Sequence, residues 1–448
     1  MNAAHDDRRL RLDRSFWWFG GCLLLLMFAL SIGPRVPDDQ QAANCVVNVH
    51  LPGPFGITLN CDSPEFMRLA REPSGLLEPF NTRQSRPGLI AAAAVLTWAL
   101  QPLASLADKL GIRASRPDID TGRIADALAK DIPGYLAYII INFGIVLAAF
   151  YYLQRICAPW TDSSTLQAVV LVAIGFLLAA NDVVKAFMWS PHTQMFNILI
   201  PVFALDASMR ANAGALIRRR FAIYIGLACG LGGTAYPLFV IVLPCVAICV
   251  FVFALRCGSR AIWWQTLCNL MIIAVFTFAP EALWFAFVWF KTGGFYQHEM
   301  TKYDEVVWIL RAWHEGLGTL ITIWLGKLLL LLRFAAEQAI PLAAVSVIVA
   351  ALWLTNRGGE PDTRPALWPL AVTAVLVSAV AAAFYTSVGM IVPRVAYSAI
   401  PALIAVVAAA ALALAARGGR RGEIVGYCCV AIALGAAAYT VLKNGPYS

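Results

Sequence analysis

Long apolar runs separated by short polar joints repeat along almost the whole of this 448-residue chain. Several runs reach the roughly 20 residues a helix needs to cross a bilayer. In lipid such a segment must satisfy its own backbone polar groups, which a helix does. The pattern therefore predicts an all-α polytopic membrane protein. Read in order, the runs place spans at 16–32, 133–153, 164–180, 194–208, 221–235, 237–255, 262–280, 338–355, 366–386, 396–415 and 424–441, about eleven in all.

One stretch interrupts this pattern. From Cys45 to Pro87 the chain reads CVVNVHLPGPFGITLNCDSPEFMRLAREPSGLLEPFNTRQSRP, the only long segment of mixed charge rich in turn residues. Loops set on a rigid scaffold are where polytopic proteins concentrate their chemistry. Within this loop Asp62, Glu65, Arg83 and Arg86 lie close in sequence. They supply a general base, a second carboxylate and cations suited to a phosphate. The run SPEFMRLA predicts a short amphipathic helix, with Phe66, Met67, Leu69 and Ala70 turned to the membrane surface.

Composition narrows the class further. Hydrophobic residues make up 60% of the chain and charged residues 13%, and the mean hydropathy is +0.71, which excludes an ordinary soluble domain. The net charge of +8 comes from Lys and Arg clusters beside the apolar runs. These are topology signals rather than a nucleic-acid surface. Four arginines in MNAAHDDRRLRLDRS precede the first run, so residues 1–33 read as a cytoplasmic N-terminus and first span. The loop that follows is then outside, where Cys45 and Cys61, alone among eleven cysteines in a long polar loop, could form a disulfide.

The run 88–107 tests that topology. Counted as a span, it would put Arg155, Arg218 to Arg220, Arg256 with Arg260, and Arg417 with Arg420 and Arg421 on the outer face, against the positive-inside rule. It reads instead as a half-embedded helix interrupted by Pro102, so 34–132 forms one outer region. Residues 133–280 then hold membrane helices with a second outer loop at 181–193. A third outer region, 281–337, carries interfacial helices, including 320–334 with Lys327 and Arg333, and 338–448 completes the C-terminal membrane part.

This arrangement resembles the GT-C superfamily of integral-membrane glycosyltransferases, which use polyprenyl-phosphate sugars. CDSPEFMRLA is similar to the family's catalytic Asp near a short juxtamembrane helix, which gives Asp62 that role. Arg86, Pro87 and GLIAAAAVLTWAL resemble the basic residue and Pro that precede a half-embedded helix in protein mannosyltransferases and the aminoarabinose transferase of lipid A. SPHTQMFNILIPVFAL has the shape of the D-x-D loop and Pro-containing span of oligosaccharyltransferases, with His192 and Gln194 where the two acids would stand. A neutral His and a Gln bind a hard cation poorly. The departure points to a monophosphate-linked donor and chemistry without a metal or other cofactor. MIVPRVAYSAIPALIAVVAA resembles the family's late Arg-aromatic-Pro pattern, which implies that Arg394 meets the carrier phosphate, with Tyr397 beside it.

The chemistry implied is transfer of a sugar from a polyprenyl-phosphate donor to an envelope glycan or lipid, on the outer side of a bacterial inner membrane. Cleavage at the anomeric carbon develops oxocarbenium character on the sugar and negative charge on the phosphate. Asp62 would accept the acceptor's proton in one inverting displacement, while Arg394 with Arg83, Arg86 or Lys302 holds the phosphate. FYQHEMTKYDEVVWILRAW adds His298, Glu299, Tyr303 and Arg311 as pocket candidates beside Glu65, His192, Gln194 and Tyr397. A lipid-linked saccharide transporter or flippase would place ionisable groups at mid-membrane depth and often repeat its halves; neither is evident. A noncatalytic membrane subunit, or an O-antigen ligase or polymerase of another architecture, stays open. No nucleotide-binding loop, zinc motif or Ser-His-Asp signature is present.

Overall fold

The computed structural model describes residues 13–104, 113–114, 128, 131–162, 164–296, 300, 303–354, 365–443 and 445. The first helix, α1 (Arg14–Ile32), starts where the Asp13 carboxylate accepts the Ser15 and Phe16 N–H groups, satisfying donors that a helix N-terminus otherwise leaves open. Beyond it the long polar loop folds as an antiparallel hairpin, β1 (Val46–His50) and β2 (Gly56–Asn60). Val46 stands opposite Asn60 and His50 opposite Gly56. A two-residue strand, β3 (Arg113–Ala114), pairs with the other edge of β1. Cys45 and Cys61 close the hairpin's open end as a disulfide with Cα atoms 5.3 Å apart, and the Cys61 N–H donates to the Cys45 carbonyl at 2.9 Å.

Two short helices follow. In α2 (Ser63–Arg71) the residues Phe66, Met67, Leu69 and Ala70 are at most 2% exposed. They pack on α3 (Pro87–Ala99) and α4 (Ile132–Cys157). The apolar face of α2 is thus covered by protein and not by the membrane surface, because the hairpin and α3 press it onto the bundle. Helix α3 has 13 residues, about 20 Å at 1.5 Å per residue, against a hydrocarbon core of roughly 30 Å. Among the described residues it therefore ends well short of a span, in a 3₁₀ turn that contains Pro102.

The bundle proper comprises α4, α5 (Thr165–Gly175), α6 (Asp182–Phe187), α7 (Phe196–Asn212), α8 (Arg219–Gly233), α9 (Val242–Cys257), α10 (Arg260–Thr292), α11 (Val307–Glu315), α12 (Leu317–Gln338), α13 (Ile340–Leu354), α14 (Trp368–Val388), α15 (Pro393–Ala396), α16 (Pro401–Ala416) and α17 (Gly419–Leu442). Among the described residues, seven helices are long and apolar enough to cross a membrane, or eight if the pair 393–399 and 401–416, bent by 44°, is one span. Fewer than eleven qualify because several expected runs form helices of 17 residues or fewer. The run 164–180 yields α5 and a 3₁₀ turn at Phe176–Leu178. Helix α7 continues through Pro201 but has 17 residues, and α8 has 15.

Two elements differ more sharply from the sequence expectation. Helix α10 does not end near 280 but continues through Pro280 to Thr292, so the segment from Glu281 begins as helix rather than loop. Helix α12, expected to lie at the interface, has 22 residues and enough apolar character to span. Its charges find protein partners: Lys327 Nζ donates to the Gly389 carbonyl at the end of α14 at 2.9 Å, and Arg333 pairs with Glu337 within the helix at 3.2 Å.

The core centres on α4, α7 and α16. Helix α16 is largely buried Ala and Leu, small side chains that let neighbouring backbones approach closely. Phe19 of α1 stacks on Phe150 of α4 with ring centroids 4.0 Å apart. Tyr135 touches the loop after α6, whereas Arg155 pairs with Asp206 at 3.2 Å, about 30 Å further along α4. The hairpin and this buried ion pair therefore mark opposite ends of the bundle.

Candidate functional site

Asp62 sits between β2 and α2, at the position that would cap α2, yet its carboxylate makes no capping bond. Instead its own N–H donates to Asn60 Oδ1 at 2.9 Å. The hairpin and disulfide fix the chain up to Cys61, and the carboxylate turns to Arg83 and His192. Arg83 Nη2 lies 2.5 Å and His192 Nε2 3.6 Å from Asp62 Oδ2. The Asp62 side chain keeps 40% of its exposure while that of Arg83 has 8%. Arg83 is held by its N–H donating to Asn81 Oδ1 at 2.8 Å and by the Phe66 ring 4.7 Å beneath its guanidinium. Burial would push the Asp62 carboxyl up; His192 and Arg83 more than reverse this and hold it well below the usual carboxylate range.

His192 comes from the loop between α6 and α7, which is clamped from several sides. Asn142 Nδ2 on α4 donates to the carbonyls of Phe187, Met188 and Ser190. Tyr135 Oη donates to the Trp189 carbonyl at 3.0 Å, and Trp189 Nε1 to that of Met27 at 3.0 Å. Ser190 Oγ joins Asn60 and Ser63 in turn. His192 Nδ1 accepts the Thr193 N–H at 2.9 Å, which leaves Nε2 to carry the proton and face Asp62. Burial pushes the imidazole down to about 4 against the pull of Asp62, with Arg394 and Arg83 adding to the depression. It is neutral at pH 7.

Arg394 reaches the same place from the bent α15–α16 segment. Its guanidinium lies over the Phe187 ring at 5.6 Å and within electrostatic reach of Asp62 and Tyr303. The Nε–H groups of Arg394 and Arg83 are both buried without an acceptor among the described residues. Arg86, just before α3, donates from Nη1 to Thr193 Oγ1 at 2.7 Å. Gly88 keeps it there: a Cβ at Gly88 would stand 2.2 Å from Thr234 Oγ1, so α3 starts hard against the end of α8.

Beneath the arginines lies a buried polar network. Asn197 Nδ2 donates to Gln194 Oε1 at 2.7 Å and to the Arg394 carbonyl at 3.3 Å. Asn197 Oδ1 accepts from Tyr385 at 2.5 Å and Tyr236 at 3.2 Å, and the two phenols meet at 2.8 Å. Glu305 acts electrostatically on Tyr385. Sequence reasoning missed Asn142, Asn197, Tyr236 and Tyr385, which come from four helices or helix ends and share no local motif.

Other expected residues are placed differently. Glu65 turns to Arg68 and Asn81 at 3.0 and 2.9 Å and is a structural partner of the loop, not a second carboxylate beside Asp62. Tyr397 is 1% exposed and donates to the Leu177 carbonyl at 2.9 Å, so it packs behind the site. Arg311 pairs with Asp304 at 3.0 Å. Arg83, expected on a donor phosphate, is engaged by Asp62. His298, Glu299 and Lys302 lie outside the described residues. Among the described residues no three His, Cys, Asp or Glu side chains gather as a metal site would require. No protein-family model, curated protein or solved structure matches the chain.

Proposed function

We propose that the protein is a membrane glycosyltransferase of the GT-C type, transferring a sugar from a polyprenyl-phosphate donor to an envelope glycan or lipid with inversion. The observation that carries this reading is the convergence of Asp62 with Arg83, Arg86 and Arg394, in which two buried guanidinium Nε–H groups have no protein acceptor among the described residues. A buried donor left unpaired costs about 1–3 kcal/mol, and an anionic ligand would remove that penalty. Arginine's planar fork suits phosphate. The site lies at the outer end of a largely apolar bundle, where a lipid-borne phosphate travels.

In this mechanism Arg394 and Arg86 hold the carrier phosphate and stabilise charge that grows as the glycosidic bond breaks. Asp62 accepts the proton of the acceptor hydroxyl as the new bond forms on the opposite face of the sugar. Neutral His192 orients Asp62 through its Nε2–H. One carboxylate and one imidazole among arginines make a poor cage for a divalent cation, which favours a mechanism without metal. The disulfide suits an oxidising compartment, and the arginines at the far end of the bundle suit a cytoplasmic face; both favour a site facing the periplasm or exterior of a bacterial inner membrane.

The test is transfer in proteoliposomes from polyprenyl-phosphate sugars to cell-envelope acceptors, paired with direct binding of a long-chain polyprenyl monophosphate. Binding and transfer that persist in chelator support the reading. A protein that binds no lipid phosphate overturns it.

A further inference from the structure

Building on that reading, we propose that Arg83 is a latch on Asp62: it occupies the carboxylate until the donor phosphate competes for its guanidinium, and only then is the carboxylate released to the acceptor. The geometry carries the argument. Arg83 Nη2 is 2.5 Å from Asp62 Oδ2, so one side chain engages the proposed base directly. The same guanidinium has a buried Nε–H with no acceptor among the described residues, so its donor capacity exceeds what Asp62 accepts. Its backbone N–H is anchored by Asn81 and its guanidinium face lies over Phe66, so a change of partner needs only the end of the side chain to move.

The other charged or titratable groups that face Asp62 are His192, whose ring is neutral and buried, and Arg394. Neither duplicates the latch. A carboxylate ion-paired to arginine is a weak proton acceptor, and efficient general-base catalysis wants a proton affinity nearer the working pH. Transferring Arg83 from the carboxylate to the phosphate corrects this at the moment the donor is seated. Catalysis would then follow an order, donor before acceptor deprotonation, with Arg83 contacting the donor phosphate only as it leaves Asp62. No bond is made or broken in the latch step; one guanidinium exchanges a carboxylate oxygen for a phosphate oxygen.

The experiment is a double-mutant cycle on binding of a long-chain polyprenyl monophosphate to the full-length protein in nanodiscs. Asp62→Asn removes the competitor for Arg83 and is expected to tighten binding about tenfold, the lower end of the effect an arginine has on a neighbouring carboxylate. In an Arg83→Gln background the same substitution is expected to change affinity less than twofold. Simple repulsion between Asp62 and the phosphate would persist there and overturn the latch. Arg83→Lys, which keeps the charge and most of the stem, provides a second background in case Arg83→Gln does not fold, and should retain part of the coupling. By linkage the lipid phosphate must raise the proton affinity of Asp62 by a corresponding factor, read as an upward move of about 1 pH unit in an infrared titration of the carboxyl. Equal affinity in wild type and Asp62→Asn overturns the latch alone. Failure of wild type to bind the lipid phosphate overturns both the latch and the proposed function.

Discussion

Replacing Asp62 by Asn separates chemistry from binding at this site. Asparagine keeps the size of the side chain and an oxygen that can still accept from Arg83, which lies 2.5 Å away. What is lost is the proposed base and the counter-charge. Loss of a general base typically reduces rate by about 10² to 10⁴, equivalent to about 3–5 kcal/mol of transition-state stabilisation. The structural penalty is smaller. Arg83 is 8% exposed and loses its ionic partner, but Asp62 is 40% exposed, so solvent already screens the pair and the expected cost is about 1–2 kcal/mol. A fold of ordinary stability survives that loss. The assay is single-turnover transfer from a polyprenyl-phosphate sugar in proteoliposomes, with thermal unfolding and donor affinity measured on the same preparation. Expected is a transfer rate down at least a hundredfold, a melting temperature within a few degrees of wild type, and a donor affinity about tenfold tighter than wild type. Wild-type transfer by this variant refutes the role of Asp62 as base, and weakened donor binding refutes the argument that Asp62 and the phosphate compete for Arg83.

Four further outcomes are expected. Arg394→Ala should weaken polyprenyl monophosphate binding by about 10- to 100-fold, the worth of a hydrogen bond to a charged group, and lower turnover as well; Arg394→Lys should recover only part because it lacks the planar fork. His192 takes up its proton near pH 4 in the fold against 6.5 for the ordinary side chain, so the unfolded chain binds more protons between these values and stability falls as pH drops from 6.5 to 4. The loss attributable to His192 is of order 3 kcal/mol, and melting curves of His192→Gln should diverge from wild type across that window but not above it; parallel curves would contradict the buried, neutral assignment. Asn142→Leu leaves the carbonyls of Phe187, Met188 and Ser190 without their clamp, with an expected cost of about 1–3 kcal/mol and lower transfer through displaced His192, checked by unfolding and rate on one sample. Asp39→Cys, on the exposed approach to the hairpin, should react with an impermeant thiol reagent from the outside of intact spheroplasts; labelling only after permeabilisation would invert the assigned topology.

Local chemistry made the broad outline legible in the sequence. Bilayer thickness forces long apolar runs into helices, so an all-α membrane protein followed from residue order alone. The short reach of α3 was readable from Pro87 and Pro102, since proline starts a helix readily and interrupts one in its interior. Asp62 stood out within the long polar loop and through the resemblance of CDSPEFMRLA to a GT-C motif, and Arg394 through the resemblance of MIVPRVAYSAIPALIAVVAA to a late pattern of that family. The tertiary structure decided which of these groups act together. Glu65 and Arg83 are both near Asp62 in sequence, yet helical spacing hands Glu65 to Arg68 three residues on, while the turn at Asn81 brings Arg83 back onto Asp62. The span count also depended on the assembled helices, because a 3₁₀ turn divides the run 164–180, while α12 extends to 22 residues and reaches spanning length. Asn142, Asn197, Tyr236 and Tyr385 carry no periodic or motif signal at all. A buried polar side chain is stabilised by partners brought from distant parts of the chain, and that pairing exists only once the helices are assembled.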